Sequence, residues 1–104
     1  MNKYTELSDF EINKKVAGAL GLISEVTHYG VVAKPNNKDH WFKFDPCNNP
    51  SDAMPIVIEN GISMVRVNNT WSARQFNNHC IEINGNNYYR IAMETYLLMK
   101  GCGE

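Results

Sequence analysis

The stretch Phe44-Asp45-Pro46-Cys47-Asn48-Asn49-Pro50-Ser51-Asp52-Ala53-Met54-Pro55 is the most informative part of this chain. It contains three prolines, two asparagines, two aspartates and one cysteine, and it separates a predicted aromatic strand from a predicted short helix. Connections between elements usually span about 4–6 residues. A connection this rich in turn-forming residues indicates either a demanding backbone path or a binding surface.

A hairpin is predicted immediately before this stretch. The segment 40–44 alternates, so that His40, Phe42 and Phe44 share one face of a strand and Trp41 lies on the other. We expect this strand to pair with Val31-Val32-Ala33, the most strand-like part of the ambiguous region 22–34. The turn-forming residues of this hairpin are Pro35-Asn36-Asn37-Lys38-Asp39.

The first helix has the clearest start in the sequence. Ser8 is a predicted N-cap that forms a capping box with Glu11, and Leu7 and Ile12 occupy the positions of a hydrophobic staple. Gly21 is expected to end this helix. The predicted apolar stripe consists of Ile12, Val16, Ala19 and Leu20. The residues expected to face water are Asn13, Lys14 and Lys15.

A short helix is predicted after the proline-rich stretch. Ser51 or Asp52 is expected to cap it, with Pro55 in about its first turn. It should end near Asn60, with Gly61 as a left-handed terminator. The segment 53–60 also contains Ile56-Val57-Ile58, which suits a buried strand, but the helix is the favoured interpretation.

The remainder of the chain predicts further strands and a last helix. Asn68-Asn69 indicates a two-residue turn of the primed type between strands at 62–67 and 70–74, and Cys80-Ile81-Glu82-Ile83 indicates another strand. Asn86 or Asn87 is expected to cap a helix from Tyr88 to Lys100 that is stopped by Gly101.

This last helix is apolar around most of its circumference, with Arg90 and Glu94 forming a narrow polar edge. It should therefore be largely buried. Long crossovers between the predicted strands are scarce, so the sheet should be mainly antiparallel. The sequence thus predicts a single α+β domain over 1–104, in which the sheet packs with an N-terminal helix, a short central helix and a buried C-terminal helix.

Composition narrows the classes of function. The net charge of −1 provides no strong field to attract nucleic acid or an acidic membrane. The first seven residues lack the apolar core of a signal peptide, and no run approaches the ~20 apolar residues of a transmembrane helix. We therefore expect a cytoplasmic protein without membrane association, in which the three cysteines, Cys47, Cys80 and Cys102, are reduced.

The sequence contains no recognisable catalytic or metal-binding motif. Asp45, Asn48, Asn49 and Asp52 offer oxygen atoms, but their spacing is not that of a calcium loop. No local signature links Cys47 to His28, His40 or His79, and the cysteines and histidines lack zinc spacing. We therefore predict no catalytic residue, no metal and no cofactor. The alternative hypothesis is a small enzyme or metal-dependent protein that uses Asp45, Cys47 and Asp52.

Two tryptophans suggest a binding surface. If helices cover one face of the sheet, Trp41 lies on the other face. An exposed tryptophan there would mark a partner site. The alternative is that the 22–30 segment covers this second face as well. Trp71 lies in the second predicted hairpin. The candidate binding residues are Trp41, Asp45, Cys47, Asn48, Asn49, Asp52, Trp71 and Arg90.

Three stretches, together with Trp71-Ser72-Ala73, resemble the NinX family, small proteins of lambdoid phages and prophages. They are residues 4–13, the Phe44–Gly61 block, and the terminal helix with Arg90, Ala92 and Leu97-Leu98-Met99-Lys100. Family members often open that helix with Pro-Leu-Arg-Ala, where this chain has Tyr88-Tyr89-Arg90-Ile91. The resemblance implies a phage or prophage origin and action in the bacterial cytoplasm. It implies no activity, and no catalytic residue can be assigned from it.

The leading hypothesis is a non-enzymatic accessory protein that binds an unidentified host or phage protein. A second alternative is a weak binder of single-stranded nucleic acid, since Lys43, Arg66 and Arg74 neighbour aromatic strands. The near-neutral charge argues against nucleic acid. The apolar girth of the last helix also permits a homodimer.

Overall fold

The computed structural model describes residues 3–76 and 80–101, which contain three helices and six strands. The elements are α1 (Asp9–Ala19), β1 (Ile23–Thr27), β2 (Gly30–Lys34), β3 (Phe42–Lys43), α2 (Pro50–Glu59), β4 (Ser63–Val67), β5 (Thr70–Gln75), β6 (Ile81–Gly85) and α3 (Tyr88–Gly101). The α+β class is confirmed, with the strands divided between two three-stranded antiparallel sheets. Predictions that concerned His79 and Cys102 lie outside the described residues.

The first sheet has the order β1-β2-β3. The expected hairpin is confirmed, with Ala33 paired to Phe42, but β3 is shorter than the predicted strand over 40–44. Continuing the register places His40 opposite Pro35, which has no backbone N–H to donate. Residues 22–30 do not cover this sheet, because β1 pairs with β2 at its edge.

The second sheet has the order β4-β5-β6. Val67 pairs with Thr70, and Asn68 adopts a φ of 55°, as a primed two-residue turn requires at its first position. This turn is confirmed as predicted. The last strand begins one residue later than expected, at Ile81, and extends to Gly85.

The start of α1 is confirmed in detail. The backbone N–H of Ser8 donates to Glu11 Oε1 at 3.0 Å, and the N–H of Glu11 donates to Ser8 Oγ at 3.1 Å. The predicted stripe is partly wrong, because the buried residues are Ile12, Asn13, Val16 and Ala17. Ala19 and Leu20 are exposed, whereas Asn13, expected in water, is 1% exposed. The buried face is shifted because α1 packs against both α3 and the first sheet.

The short central helix is confirmed, with a different cap from the one predicted. Asn49 Oδ1 accepts the N–H of Ser51 at 3.0 Å, so Asn49 is the N-cap and neither Ser51 nor Asp52 fills that position. The helix therefore begins earlier, at Pro50, and Pro55 lies in its interior and not in its first turn. Gly61 has a φ of 62°, as expected of a left-handed terminator.

The last helix forms the centre of the structure. Asn87 Oδ1 accepts the N–H of Arg90 at 3.1 Å, and every residue from 91 to 97 is buried. α3 packs against α1, α2, β5 and β6, so its wide apolar surface is covered within one chain. That surface therefore gives no support to the homodimer, which stays a prediction. The polar edge is buried too, since Glu94 is 6% exposed.

Candidate functional site

The loop at 44–49, which joins β3 to α2, docks on α1 through one buried amide. Asn13 Nδ2 donates to Asp45 Oδ1 at 2.8 Å, and Asn13 Oδ1 accepts the backbone N–H of Cys47 at 3.1 Å. The Asn13 side chain thus uses both its donor and its acceptor on the loop, as a buried amide must. Sequence reasoning missed this residue. Ile12, Asn13, Val16 and Ala17 stand at helical spacing and share one wide face of α1. This pattern could have indicated that Asn13 is buried.

The loop also holds itself together. The carbonyl of Asp45 accepts the N–H groups of Asn48 and Asn49 at 3.1 and 2.8 Å. The N–H of Asp45 donates to Asp52 Oδ2 at 2.9 Å, which connects the loop to the first turn of α2. Asp45 Oδ1 also accepts from Asn48 Nδ2 at 3.1 Å. These bonds account for the aspartates and asparagines that made the stretch distinctive.

Arg90 occupies the centre of a second set of contacts. Its Nη1 lies 2.6 Å from Asp9 Oδ1, and its Nε lies 2.6 Å from Glu94 Oε2. Its Nη2 donates to the carbonyls of Tyr4 at 3.0 Å and Leu7 at 2.7 Å. The planar guanidinium presents several donors in fixed directions, so one side chain holds the N-terminal segment, residues 3–8, against α3.

Asp9 joins the two sets of contacts. Its Oδ2 accepts from Asn48 Nδ2 at 3.2 Å, while its Oδ1 contacts Arg90. A continuous polar network therefore runs from α3 through the start of α1 to the loop and α2. The polar network, as we call it, comprises Asp9, Asn13, Asp45, Cys47, Asn48, Asp52, Arg90 and Glu94. Asn13, Cys47 and Glu94 are buried, whereas Asn48 is exposed and the others are partly buried.

Cys47 is unsuited to nucleophilic chemistry in this setting. The residue is 0% exposed, and burial, reinforced by the nearby Asp9 carboxylate, raises the pKa of its thiol to about 12. Since the thiolate is the reactive form, a thiol with so high a pKa stays protonated at neutral pH. Cys47 therefore packs as a small apolar side chain, with its Sγ 4.0 Å from the carbonyl oxygen of Asp9.

The electrostatics of Arg90 agree with a structural role. Burial works against its charged form, but hydrogen bonds to Glu94 and Asp9 outweigh burial and raise the pKa of the guanidinium.

Among the described residues, no group of three or more His, Cys, Asp or Glu side chains is arranged to hold a metal ion. The Asp52 carboxylate accepts the backbone N–H of Asp45, which is a structural contact within the loop.

The two tryptophans lie apart from the network and from each other. Trp71, in β5, makes an edge-to-face contact with Tyr88 at a centroid distance of 4.8 Å, and the Arg66 guanidinium lies 5.1 Å from its ring centre. Trp41 lies beside the first sheet and is 38% exposed, with Lys34 Nζ 5.3 Å from its ring centre. Of the eight predicted residues, five therefore belong to the network, Asn49 caps α2, and the tryptophans stand elsewhere.

The fold and the polar network define a small α+β protein whose proline-rich loop connects its first helix to its last two. A family model described as Bacteriophage P22, NinX matches residues 3–100. The chain therefore belongs to this NinX family of phage proteins. A search of curated proteins found no match. Within the described residues, no helix has the length and apolar character required to cross a membrane.

Proposed function

We propose that this phage protein is a non-enzymatic accessory module that binds a host or phage protein in the bacterial cytoplasm. The observation that carries the proposal is the exposure of large apolar side chains around the first sheet. Nine such side chains are exposed in the described residues, and six of them lie within 20–42. They are Leu20, Ile23, Val26, Tyr29, Trp41 and Phe42. Ile23 and Trp41 lie on one face of this sheet, whereas the pairing of Val26 with Val31 and of Phe42 with Ala33 places those two side chains on the other face. Exposed large apolar side chains that lie together can mark contact surfaces.

One face of the first sheet is the best candidate for the contact. Val31 and Ala33 are buried, so the face that carries them points into the molecule. The strand register places Ile23 with Lys34, and Glu25 with Val32 and Lys43, on the opposite face. We call this the outer face: Ile23, Glu25, Val32, Lys34, Trp41 and Lys43.

The chemistry of the outer face favours a protein partner. Ile23 and Trp41 are 39% and 38% exposed, and tryptophan is among the residues that dominate binding energy at interfaces. Lys34 and Lys43 are accompanied by two carboxylates, those of Glu25 and of Asp39, whose Oδ1 lies 3.8 Å from Lys34 Nζ. This balance favours a partner with charged groups of both signs around an apolar contact. Lys34 Nζ already lies over the Trp41 ring, so this ring face is not free to stack on a nucleic-acid base.

Affinity capture from infected host cells tests the proposal. Wild-type protein and Trp41→Ala are compared with Ile58→Ala, a matched control on α2 whose side chain is 71% exposed. We expect one phage or host protein to be enriched by wild type and Ile58→Ala but lost with Trp41→Ala. That protein, once purified, should bind with a Kd that Trp41→Ala weakens by about tenfold or more.

Two results would contradict the proposal. One is equal capture by wild type and Trp41→Ala, which would remove the outer face from the interaction. The other is salt-sensitive retention on single-stranded DNA that depends on Trp41, which would favour the nucleic-acid alternative.

A further inference from the structure

A cleft of about 460 Å³ lies beside β6. It is lined by Thr5, by Arg90, Ile91 and Glu94 of α3, and by every residue from 82 to 87. Successive strand residues point to opposite faces of a sheet. A cleft lined by consecutive residues of a strand is therefore bordered by the backbone edge of that strand and not by one of its faces.

This edge of β6 is free in the described part of the chain. The order β4-β5-β6 places β6 at the end of its sheet, paired with β5 on one side. The backbone N–H and C=O groups on the other side of an edge strand form a template for a further strand. The cleft is thus located where an added strand would lie.

A second cleft is lined by neighbouring residues of the same elements. It has a volume of about 220 Å³ and is lined by Lys3, Tyr4, Ile81, Leu98 and Gly101. The same three elements line both clefts: the N-terminal segment, β6 and α3. The second cleft lies at the start of β6 and the end of α3, so the two clefts follow one another along the strand. We call them together the edge groove, with a length of about 17 Å for five strand residues.

The two ends of the edge groove differ in chemistry. Asn84, Asn86 and Asn87 provide amide groups at one end, beside the charged side chains of Glu82, Arg90 and Glu94. Tyr4, Ile81 and Leu98 provide an apolar recess at the other, with Lys3 Nζ 5.3 Å from the centre of the Tyr4 ring. A bound segment would therefore place polar groups beside the asparagines and a large apolar side chain beside Leu98.

We propose that the edge groove binds an extended segment of a partner protein, which adds to the second sheet as a strand beside β6. Main-chain hydrogen bonds to the free edge would supply affinity, and the apolar recess would supply selectivity. The groove is separate from the outer face, so this proposal and the proposed function can fail independently.

The opposite wall of the groove determines which occupant fits. Arg90 Nη2 holds the carbonyls of Tyr4 and Leu7, so the N-terminal segment stands fixed across from β6. A groove bounded on both sides accepts a single extended chain. The edge of a second folded sheet would clash with the N-terminal segment. The Arg90 contacts also keep the wall in place before a ligand arrives, which lowers the entropic cost of binding.

A library of displayed random peptides of about ten residues provides the probe, because strand addition recognises an extended chain. We expect selected peptides to share a large apolar residue at one fixed position. A synthetic peptide from the selection should shift the amide NMR signals of residues 81–86 most strongly. Methylating its backbone nitrogens one at a time should abolish binding at alternate positions, which is the pattern of a strand ladder.

Protein variants provide the matched comparison. Leu98→Lys places a charge in the apolar recess and should weaken peptide binding by about tenfold or more. Phe76→Lys places the same charge in a separate cleft, lined by residues of β4 and β5, and should leave binding unchanged. If Leu98→Lys loses its circular dichroism signal, the N-methylated peptides still decide the question.

Several outcomes would overturn the proposal. They are a library without enriched peptides, peptide shifts away from β6, or a methylation series without alternation. A dimer in sedimentation equilibrium that Leu98→Lys dissociates would assign the groove to a second copy of this chain.

Discussion

The side-chain amide of Asn13 donates a 2.8 Å hydrogen bond to the carboxylate of Asp45, 32 residues further along the chain. The same side chain accepts the N–H of Cys47. One buried amide therefore makes two of the contacts that hold the proline-rich loop on the first helix, and its replacement should lower the stability of the fold.

Asn13→Asp should be strongly destabilising. The substitution removes the donor to Asp45 and places a second carboxylate beside the first in a buried site, at a cost of about 3 kcal/mol or more. Urea unfolding should show a lower midpoint with an unchanged m-value. Lys14→Ala, at an exposed neighbouring position, should shift stability by less than about 0.5 kcal/mol. Wild-type stability in Asn13→Asp would show that the Asn13–Asp45 bond contributes little.

Arg90→Lys should destabilise the protein although it retains the charge. A lysine cannot reach Asp9, Glu94 and two carbonyls at once, because it lacks the planar fork of the guanidinium. We expect a loss of about 2–4 kcal/mol, and Arg90→Ala should cost more because it leaves Glu94 buried without its cation. Arg66→Ala, which removes an exposed arginine, provides the comparison. If Arg90→Lys unfolds at the same temperature as wild type, the positive charge alone accounts for the stabilising effect of Arg90.

Gly85→Ala should destabilise the contact between β6 and α3. An added Cβ at this position would lie 2.8 Å from Ile91 Cγ2, closer than real Cβ contacts permit. We expect a cost of about 1–3 kcal/mol from this overpacking. Because leucine lacks a methyl group on Cβ, Ile91→Leu should recover part of the loss. A double-mutant cycle measures this coupling, and strictly additive effects would contradict the steric explanation.

The Cys47 thiol should be unreactive in the folded protein. In a Cys80→Ser, Cys102→Ser variant, a thiol-specific reagent should titrate one group only after unfolding. The raised pKa of Cys47 also sets a pH dependence. Its contribution to stability is complete below the ordinary thiol pKa of 9.0 and decreases as pH rises toward about 12. Cys47→Ala should therefore show a flatter alkaline profile, and rapid labelling at neutral pH would contradict the assignment.

Glu11 should contribute to stability in a pH-dependent manner. Hydrogen bonds from the backbone and hydroxyl of Ser8 lower the pKa of the Glu11 carboxyl below its ordinary value of 4.5. This stabilisation is present above pH 4.5 and decreases as pH falls through the lowered pKa. Glu11→Gln should lose stability less steeply than wild type on acidification. Glu6→Gln, also exposed, is the control, and identical acid profiles for all three proteins would contradict this role.

The local elements could largely be predicted from the sequence. The Ser8 cap, the Asn68-Asn69 turn and the Gly61 terminator depend on nearest neighbours, and their residue preferences follow from backbone geometry. The buried last helix was predictable from its apolar circumference. Each of these features is confirmed by the structure.

The contacts between distant segments could not be predicted in the same way. Periodicity describes one helix at a time, so it placed Asn13 in water although a loop 32 residues later covers it. The sequence does not distinguish the capping residue of α2, because Asn49, Ser51 and Asp52 are all good caps. The N–H of Asp45 donates to the Asp52 carboxylate, and this long-range bond cannot be derived from local residue preferences. Arg90 was identified as a candidate residue, but its anchoring of the N-terminal segment depends on a pairing across 81 residues.

The two sheets are attached to the rest of the molecule in different ways. The first packs against α1, whereas two strands of the second pack directly against the central helix α3. Opening the first sheet therefore exposes less of the core than opening the second, and regions with fewer buried contacts open at lower free energy. Amide protons of β1 and β2 should thus exchange with deuterium faster than those of β5 and α3. The molecule would then have a slowly exchanging half around its last helix and a more labile half that carries Trp41.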